Sequence, residues 1–199
     1  MLFSEVTVIQ ADGALLPKAY VGVRDSWVAY LGTQRPDGNW GEEIRGELLL
    51  IPGLFNSHTH VPMTLLRGYG EDMTLDRWLN DRIFPFEDKL TGEDVYWGSL
   101  LGIAEMLATG TVSFTDMYYF CDRIVQAVEE SGIKANIGRG TSCFDPNKTF
   151  RELPAYTDTR ELLRTAHGAA QGRILVDVSP HSEYTTRPDI LADMAELAA

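Results

Sequence analysis

Two kinds of hydrophobic spacing divide this chain. In its first 50 residues the apolar positions come in short groups: Val6, Val8 and Ile9, then Val21 and Val23, then Val28, Tyr30 and Leu31. Near-alternation marks strands with one buried face. Asp25 and Ser26, between the second group and the third, predict a hairpin turn. The stretch T-Q-R-P-D-G-N-W-G carries Pro-Asp-Gly turn chemistry and predicts a loop. Residues 1–50 are therefore expected to form a small β domain.

From Leu48 the pattern changes to strands alternating with helices, and residues 51–199 are expected to form a second unit. Leu48 to Phe55 is a continuous apolar run, as in a strand buried on both faces. Leu75, Trp78, Leu79 and Ile83 form a helical stripe over residues 74–83. Thr91 is a candidate N-cap with Glu93 and Asp94 in the first turn, Leu100, Ile103, Ala104 and Leu107 give the apolar stripe, and Gly110 stops the helix. A second strand is expected over Thr111–Phe114, ending at Thr115-Asp116, followed by a helix over Asp122–Ser131 closed by Gly132. A third strand, Lys134–Ile137, ends at Gly138-Arg139-Gly140, and a helix over Thr159–Gln171 is closed by Gly172. The fourth strand, Ile174–Val178, ends at Ser179-Pro180-His181, and Pro188 suits the first position of a last helix. Repeated strand–helix alternation predicts a parallel sheet with helices outside it.

The chemistry gathers at the C-terminal ends of those strands: His58 and His60, then Asp116, Arg139 and His181. In a β/α barrel that is the catalytic face. His58 and His60 stand two apart, so on a strand they share a side and can hold one cation between them. A pair of hydrogen-bonded structural histidines is the rival reading. Asp116 is expected to orient the site or cap a helix rather than bind metal, and His167 to lie exposed in mid-helix. Trp78 and Met63 suit a pocket wall and a core equally well.

Composition narrows the partners. A formal net charge of -12 argues against nucleic acid, which calls for clustered Lys and Arg. No apolar run approaches the roughly 18 residues of a membrane span, and the first ten residues lack the regions of a signal peptide. Two cysteines without paired spacing suggest free thiols, which makes the cytoplasm the expected location.

The stretch I-P-G-L-F-N-S-H-T-H-V-P-M-T-L-L-R-G resembles the first barrel strand of the amidohydrolase superfamily. The following E-D-M-T-L-D-R-W-L-N-D-R-I-F-P-F-E-D resembles its branch of S-adenosylhomocysteine and 5′-methylthioadenosine deaminases, with chlorohydrolase-type relatives. The resemblance implies an α/β fold: the N-terminal half of a (β/α)8 TIM barrel with a small N-terminal β-sandwich portion. It implies one divalent metal ion, zinc first and iron or manganese as alternatives, with His58 and His60 as ligands. Glu87 would meet the ribose hydroxyls of a purine nucleoside-like substrate, and its rival reading is a solvated acid of the E-D-K-L run. Arg139 and Arg151 would handle a substrate carboxylate, and for Arg139 a structural ion pair is the rival. His181 would hydrogen-bond the purine ring.

A complete barrel of this kind runs to about 250 residues. The family's third histidine ligand, its proton-shuttling glutamate and its strand-eight aspartate would all lie beyond Ala199, so no catalytic residue is expected within this chain. The 199 residues are thus expected to be inactive alone and to act by joining a C-terminal half or another copy. The complete protein is expected to deaminate an adenosine-type substrate. A chlorohydrolase, a guanine or other aromatic-amine deaminase, and an inactive half-barrel assembly module are the alternatives.

Overall fold

In the computed structural model, which describes residues 1–199, the chain separates at Gly53 into two units, Met1–Gly53 and Leu54–Ala199. The first is a single sheet of β1 (Leu2–Ile9), β2 (Leu15–Arg24), β3 (Trp27–Gly32), β4 (Glu43–Arg45) and β5 (Leu49–Leu50). The order is β3-β2-β1-β4, with β5 also paired to β1. The hairpin between β2 and β3 turns at Asp25, whose φ of 53° is the left-handed conformation a tight turn demands. Leu2, Val6, Ala19 and Val21 are buried.

At one end of this sheet Glu43 gathers charge. Arg35 meets it through two nitrogens at 2.5 and 3.0 Å, and the buried Ser4 hydroxyl also donates to it. The Arg35 guanidinium first, then Ser4, hold the Glu43 carboxyl down to about 2 from an ordinary 4.5. A depressed carboxylate stabilises the fold above its unfolded value, and that stabilisation is lost as pH falls through the folded one. Replacing Glu43 with Gln should therefore flatten the dependence of the unfolding midpoint on pH between about 4.5 and about 2. Thermal melts across that range check this.

The apolar run from Leu48 to Phe55 is not one buried strand. Its first part is β5, and after Pro52-Gly53 it begins β6 (Leu54–Thr59) of the second sheet. Proline cannot donate to a sheet ladder, so the run breaks there. β6 is an edge strand paired only to β7, and Leu54 and Phe55 are exposed rather than buried.

The second unit continues with a 3-10 helix, Val61–Leu66, and a helical stretch made of α1 (Leu75–Trp78), a π turn (Leu79–Ile83) and α2 (Phe84–Glu87). Then come α3 (Gly92–Ala108), β7 (Thr111–Tyr118), α4 (Cys121–Ser131), β8 (Lys134–Arg139), α5 (Pro154–Ala166), α6 (Ala169–Gly172), β9 (Ile174–Asp177) and α7 (Pro188–Ala198). Thr91 and Asp94 form the capping box of α3. β7 runs past the expected end at Asp116 because every second residue, Phe114, Asp116 and Tyr118, stays buried. The helix expected over Thr159–Gln171 starts earlier, at Pro154, and stops at Ala166. Gly168, Ala170 and Gln171 all take left-handed angles, so no continuous helix crosses them.

Strands β6 to β9 pair in sequence order, all parallel. Phe114, Ile137 and Ile174 on the sheet pack with Ile103 of α3, Ile124 and Val128 of α4 and Leu162 of α5. A second cluster, Phe150, Leu153, Ile190 and Met194, joins the segment after β8 to α7.

The 3-10 helix after β6 seats on α3 through glycines. A Cβ at Gly98 would lie 2.6 Å from the Pro62 carbonyl oxygen, and one at Gly102 would lie 2.6 Å from Val61 Cγ2. Backbone cannot yield as a flexible side-chain tip can. Overpacking costs about 1–3 kcal/mol, while Ala in place of a mid-helix Gly returns up to about 1 kcal/mol. Gly98→Ala is expected to lose about 1–2 kcal/mol net, read as a lower urea midpoint at unchanged slope.

Candidate active site

β6 and β7 together set up the histidines. Thr59 pairs with Asp116, and Asp116 shares its face with Phe114 and Tyr118, toward the helices. Strand alternation then sends His58 and His60 to the opposite face, the same one as Met117. Their ring centroids are 5.1 Å apart. His60 Nδ1 lies 2.6 Å from the Met117 carbonyl. A carbonyl only accepts, so Nδ1 carries the hydrogen and Nε2 keeps its lone pair for a ligand.

His181 follows β9, and its ring centroid is 5.7 Å from that of His60. Its Nδ1 lies 3.5 Å from Met117 Sδ. Burial first, then the neighbouring His60 and His58, lower its pKa and favour the neutral ring. A neutral imidazole offers one donor and one acceptor, which is what pairing with a heterocycle needs.

Glu87, at the end of α2, reaches this group through Tyr118, whose hydroxyl donates to Glu87 Oε1 at 2.7 Å. The Tyr118 ring centroid is 6.1 Å from that of His60. Burial raises the Glu87 carboxyl, opposed by the Tyr118 bond. The Tyr118 hydroxyl is raised by burial and then by Glu87, so it stays protonated and donating. Glu87 is thus a half-buried, oriented acid and not a member of a solvated run.

Glu87 and Arg139 line one cavity of about 720 Å³, with Tyr119, Cys121 and Asp158 also on its wall, whereas His58, His60 and His181 lie outside its lining. Arg139, at the end of β8, has its guanidinium carbon 4.7 Å from the Tyr119 ring centre, its Nε 3.1 Å from Asp158 and its Nη1 2.5 Å from the Gly140 carbonyl. The ion pair left open by the sequence therefore exists. Burial pushes the Cys121 thiol up to about 12, so it presents no thiolate there.

Arg151 is not brought to this cavity. It lies exposed on a one-turn 3-10 helix, Phe150–Glu152, that is capped reciprocally by Thr149 and Glu152. Trp78 and Met63 do not line the cavity either, and Met63 packs on the main core. His167 is exposed, as expected, but sits at the C-cap of α5 and not in mid-helix, and its Nδ1 accepts the Val176 N–H at 3.2 Å. Both cysteines are free and buried.

Asp116 is 1% exposed and makes no ion pair with Lys or Arg. Burial pushes its carboxyl up to about 6, against the opposing effects of Thr59, Val61 and His58. No three His, Cys, Asp or Glu side chains are grouped to hold a metal ion. The donor set nevertheless fits one in part: two neighbouring imidazoles set edge to face, one with its tautomer fixed, would supply half of a four-coordinate shell.

Tyr118, Tyr119 and Asp158 were not evident from the sequence as site residues. The run T-D-M-Y-Y after a strand, continuing its alternation, was the available signal for Tyr118. Asp158 had none.

Residues 49–199 match the amidohydrolase family. A 5-methylthioadenosine/S-adenosylhomocysteine deaminase of Syntrophomonas wolfei is 40% identical over 202 residues, covering 100% of this chain and 46% of that protein. Among solved structures, atrazine chlorohydrolase TrzN from Arthrobacter aurescens complexed with zinc superposes with a TM-score of 0.85 at 17% identity, over 99% of this chain and 50% of its own. An adenosine deaminase from Xanthomonas campestris with bound zinc gives a TM-score of 0.81 at 26% identity, over 99% of this chain and 46% of its own. The chain spans about half the length of the curated relatives it matches. The likeness places the second unit as the N-terminal part of a (β/α)8 barrel.

Proposed function

The chain belongs to the amidohydrolase family, and on that footing we propose that it supplies the first two metal ligands and the main substrate contacts of a hydrolytic deaminase of adenosine-type nucleosides. The observation that carries this reading is the His58–His60 pair at the end of β6, with the lone pair of His60 Nε2 left open by the Met117 carbonyl. His58 and His60 would hold a divalent ion, zinc by analogy with the two zinc-bearing structures, which would supply Lewis-acid activation of water near neutral pH.

The chain's own residues then divide the remaining work. His181, neutral and 5.7 Å from His60, pairs with the purine ring. Glu87, held by Tyr118, accepts from the ribose hydroxyls. Arg139, on the wall of the same cavity, takes the carboxylate of an amino-acid tail, as a planar guanidinium does well. Arg151 serves such a tail only if its exposed turn approaches from another subunit. The proton-shuttling glutamate and the other ligands come from outside these 199 residues. β6 and β9 each have one unpaired edge, where a second half or another copy completes the sheet.

The test is a spectrophotometric screen on the protein completed to its relatives' length. 5′-Methylthioadenosine and S-adenosylhomocysteine are compared with a chlorinated triazine and guanine. Turnover of the nucleosides supports the reading, and turnover of the triazine or of guanine alone replaces it with the corresponding activity. Deamination by residues 1–199 alone would contradict the divided site. Within the active protein, Glu87→Gln weakens a hydrogen bond to a charged acceptor, and kcat/KM for ribosyl substrates is expected to fall about tenfold.

A further inference from the structure

Asp116 is the one fully buried carboxylic acid in the chain, and its bonds converge on a single residue. Its Oδ1 accepts from the Thr59 hydroxyl at 2.6 Å and from the Val61 N–H at 2.6 Å. Those are the two neighbours of His60. Between them the chain leaves the strand, with His60 at φ −125° and ψ 73°, neither strand nor helix. Val61 opens the 3-10 helix, so its N–H has no acceptor within that helix. Asp116 provides one from the adjacent strand. The next residue, Met117, accepts from the His60 ring through its carbonyl. Residues 59, 60 and 61 are thus each tied to 116 or 117.

The arrangement has a cost. Asp116 Oδ2 is buried without a hydrogen-bond partner, and an unsatisfied buried acid is destabilising. A position serving packing alone is better filled by an apolar side chain such as the neighbouring Phe114.

We propose that Asp116 is a positioning residue, whose carboxyl fixes the backbone on both sides of His60 so that the two imidazoles stand at the separation needed to share one cation. This rests on the reading of His58 and His60 as metal ligands. Outer partners of ligating histidines set ring orientation, and their loss typically costs about 10–100-fold in metal affinity.

The experiment measures zinc affinity by competition with a chromophoric chelator, and ring ¹⁵N shifts of the histidines without metal, in the protein completed to its relatives' length and four variants. Asp116→Ala, folded by circular dichroism, is expected to bind zinc about 10–100-fold more weakly and to lose the single Nδ1–H tautomer of His60. Asp116→Asn keeps an oxygen acceptor for both donors and should stay within about threefold of wild type. Thr59→Val removes one of the two bonds without changing shape and should cost about threefold to tenfold. Zinc affinity and His60 shifts unchanged in folded Asp116→Ala overturn the proposal. If that variant does not fold, the same unchanged result in Thr59→Val does. Zinc binding unaffected by His58→Ala removes the metal-ligand reading instead, and the metal-free His60 shifts still decide whether Asp116 sets that ring.

Discussion

In the proposed deaminase, completed to its relatives' length, replacing His60 with alanine is expected to abolish tight zinc binding and to cut turnover at least about a thousandfold, about 4 kcal/mol of transition-state stabilisation. The size follows from what the residue holds. On the proposed reading the His58 and His60 imidazoles, with ring centroids 5.1 Å apart, are this chain's contribution to the metal shell. Losing one leaves a single donor on β6, and water activation depends on the ion staying in place. His58→Ala should behave alike. His181→Ala should not, because the proposed role of His181 is to pair with substrate: its zinc content should match wild type while kcat/KM falls by a smaller factor. Zinc by atomic absorption, with kinetics on the same preparations, separates the two classes. An active, zinc-replete His60→Ala protein would remove the pair from the mechanism.

The second large effect concerns the sheet that carries the site. Phe114→Ala is expected to destabilise the protein by about 3–5 kcal/mol, a large share of the roughly 5–15 kcal/mol available to a folded domain. Phe114 is 1% exposed, stands mid-way along β7, and pairs with Asn56 of β6 and Ala135 of β8. Its ring fills the space between the sheet and the helices, so truncation leaves a cavity that strands held by ladders on both sides cannot collapse into. Urea unfolding measures the loss. Asp116 lies two residues further on the same face, so zinc affinity should fall with stability in Phe114→Ala. An unfolding free energy within about 1 kcal/mol of wild type would show that the ring is replaceable.

What the sequence disclosed, and what it hid, follows from the range of the interactions. The cap at Thr91, the stop at Gly132 and the start at Pro188 rest on contacts within a few residues, and all three occur in the structure. Strand alternation and short loops placed His58, His60, Arg139 and His181 at strand ends by the same local logic. The run from Leu48 to Phe55 misled because a doubly buried strand and two successive edge strands look alike until pairing is known. The bond from Tyr118 to Glu87 spans 31 residues and the ion pair from Arg139 to Asp158 spans 19, so no periodicity announces either. The clamp of Asp116 on residues 59 and 61 depends on the register of two parallel strands, which a single sequence does not contain.

The most direct test of the proposed metal pair is a zinc titration of the protein completed to its relatives' length, followed by the ring ¹⁵N resonances of His58, His60 and His167. His58 and His60 are expected to shift together and to stop shifting at one zinc per chain, while the solvent-facing His167 does not move. Zinc that binds in that ratio and leaves the His58 and His60 rings unperturbed would contradict it.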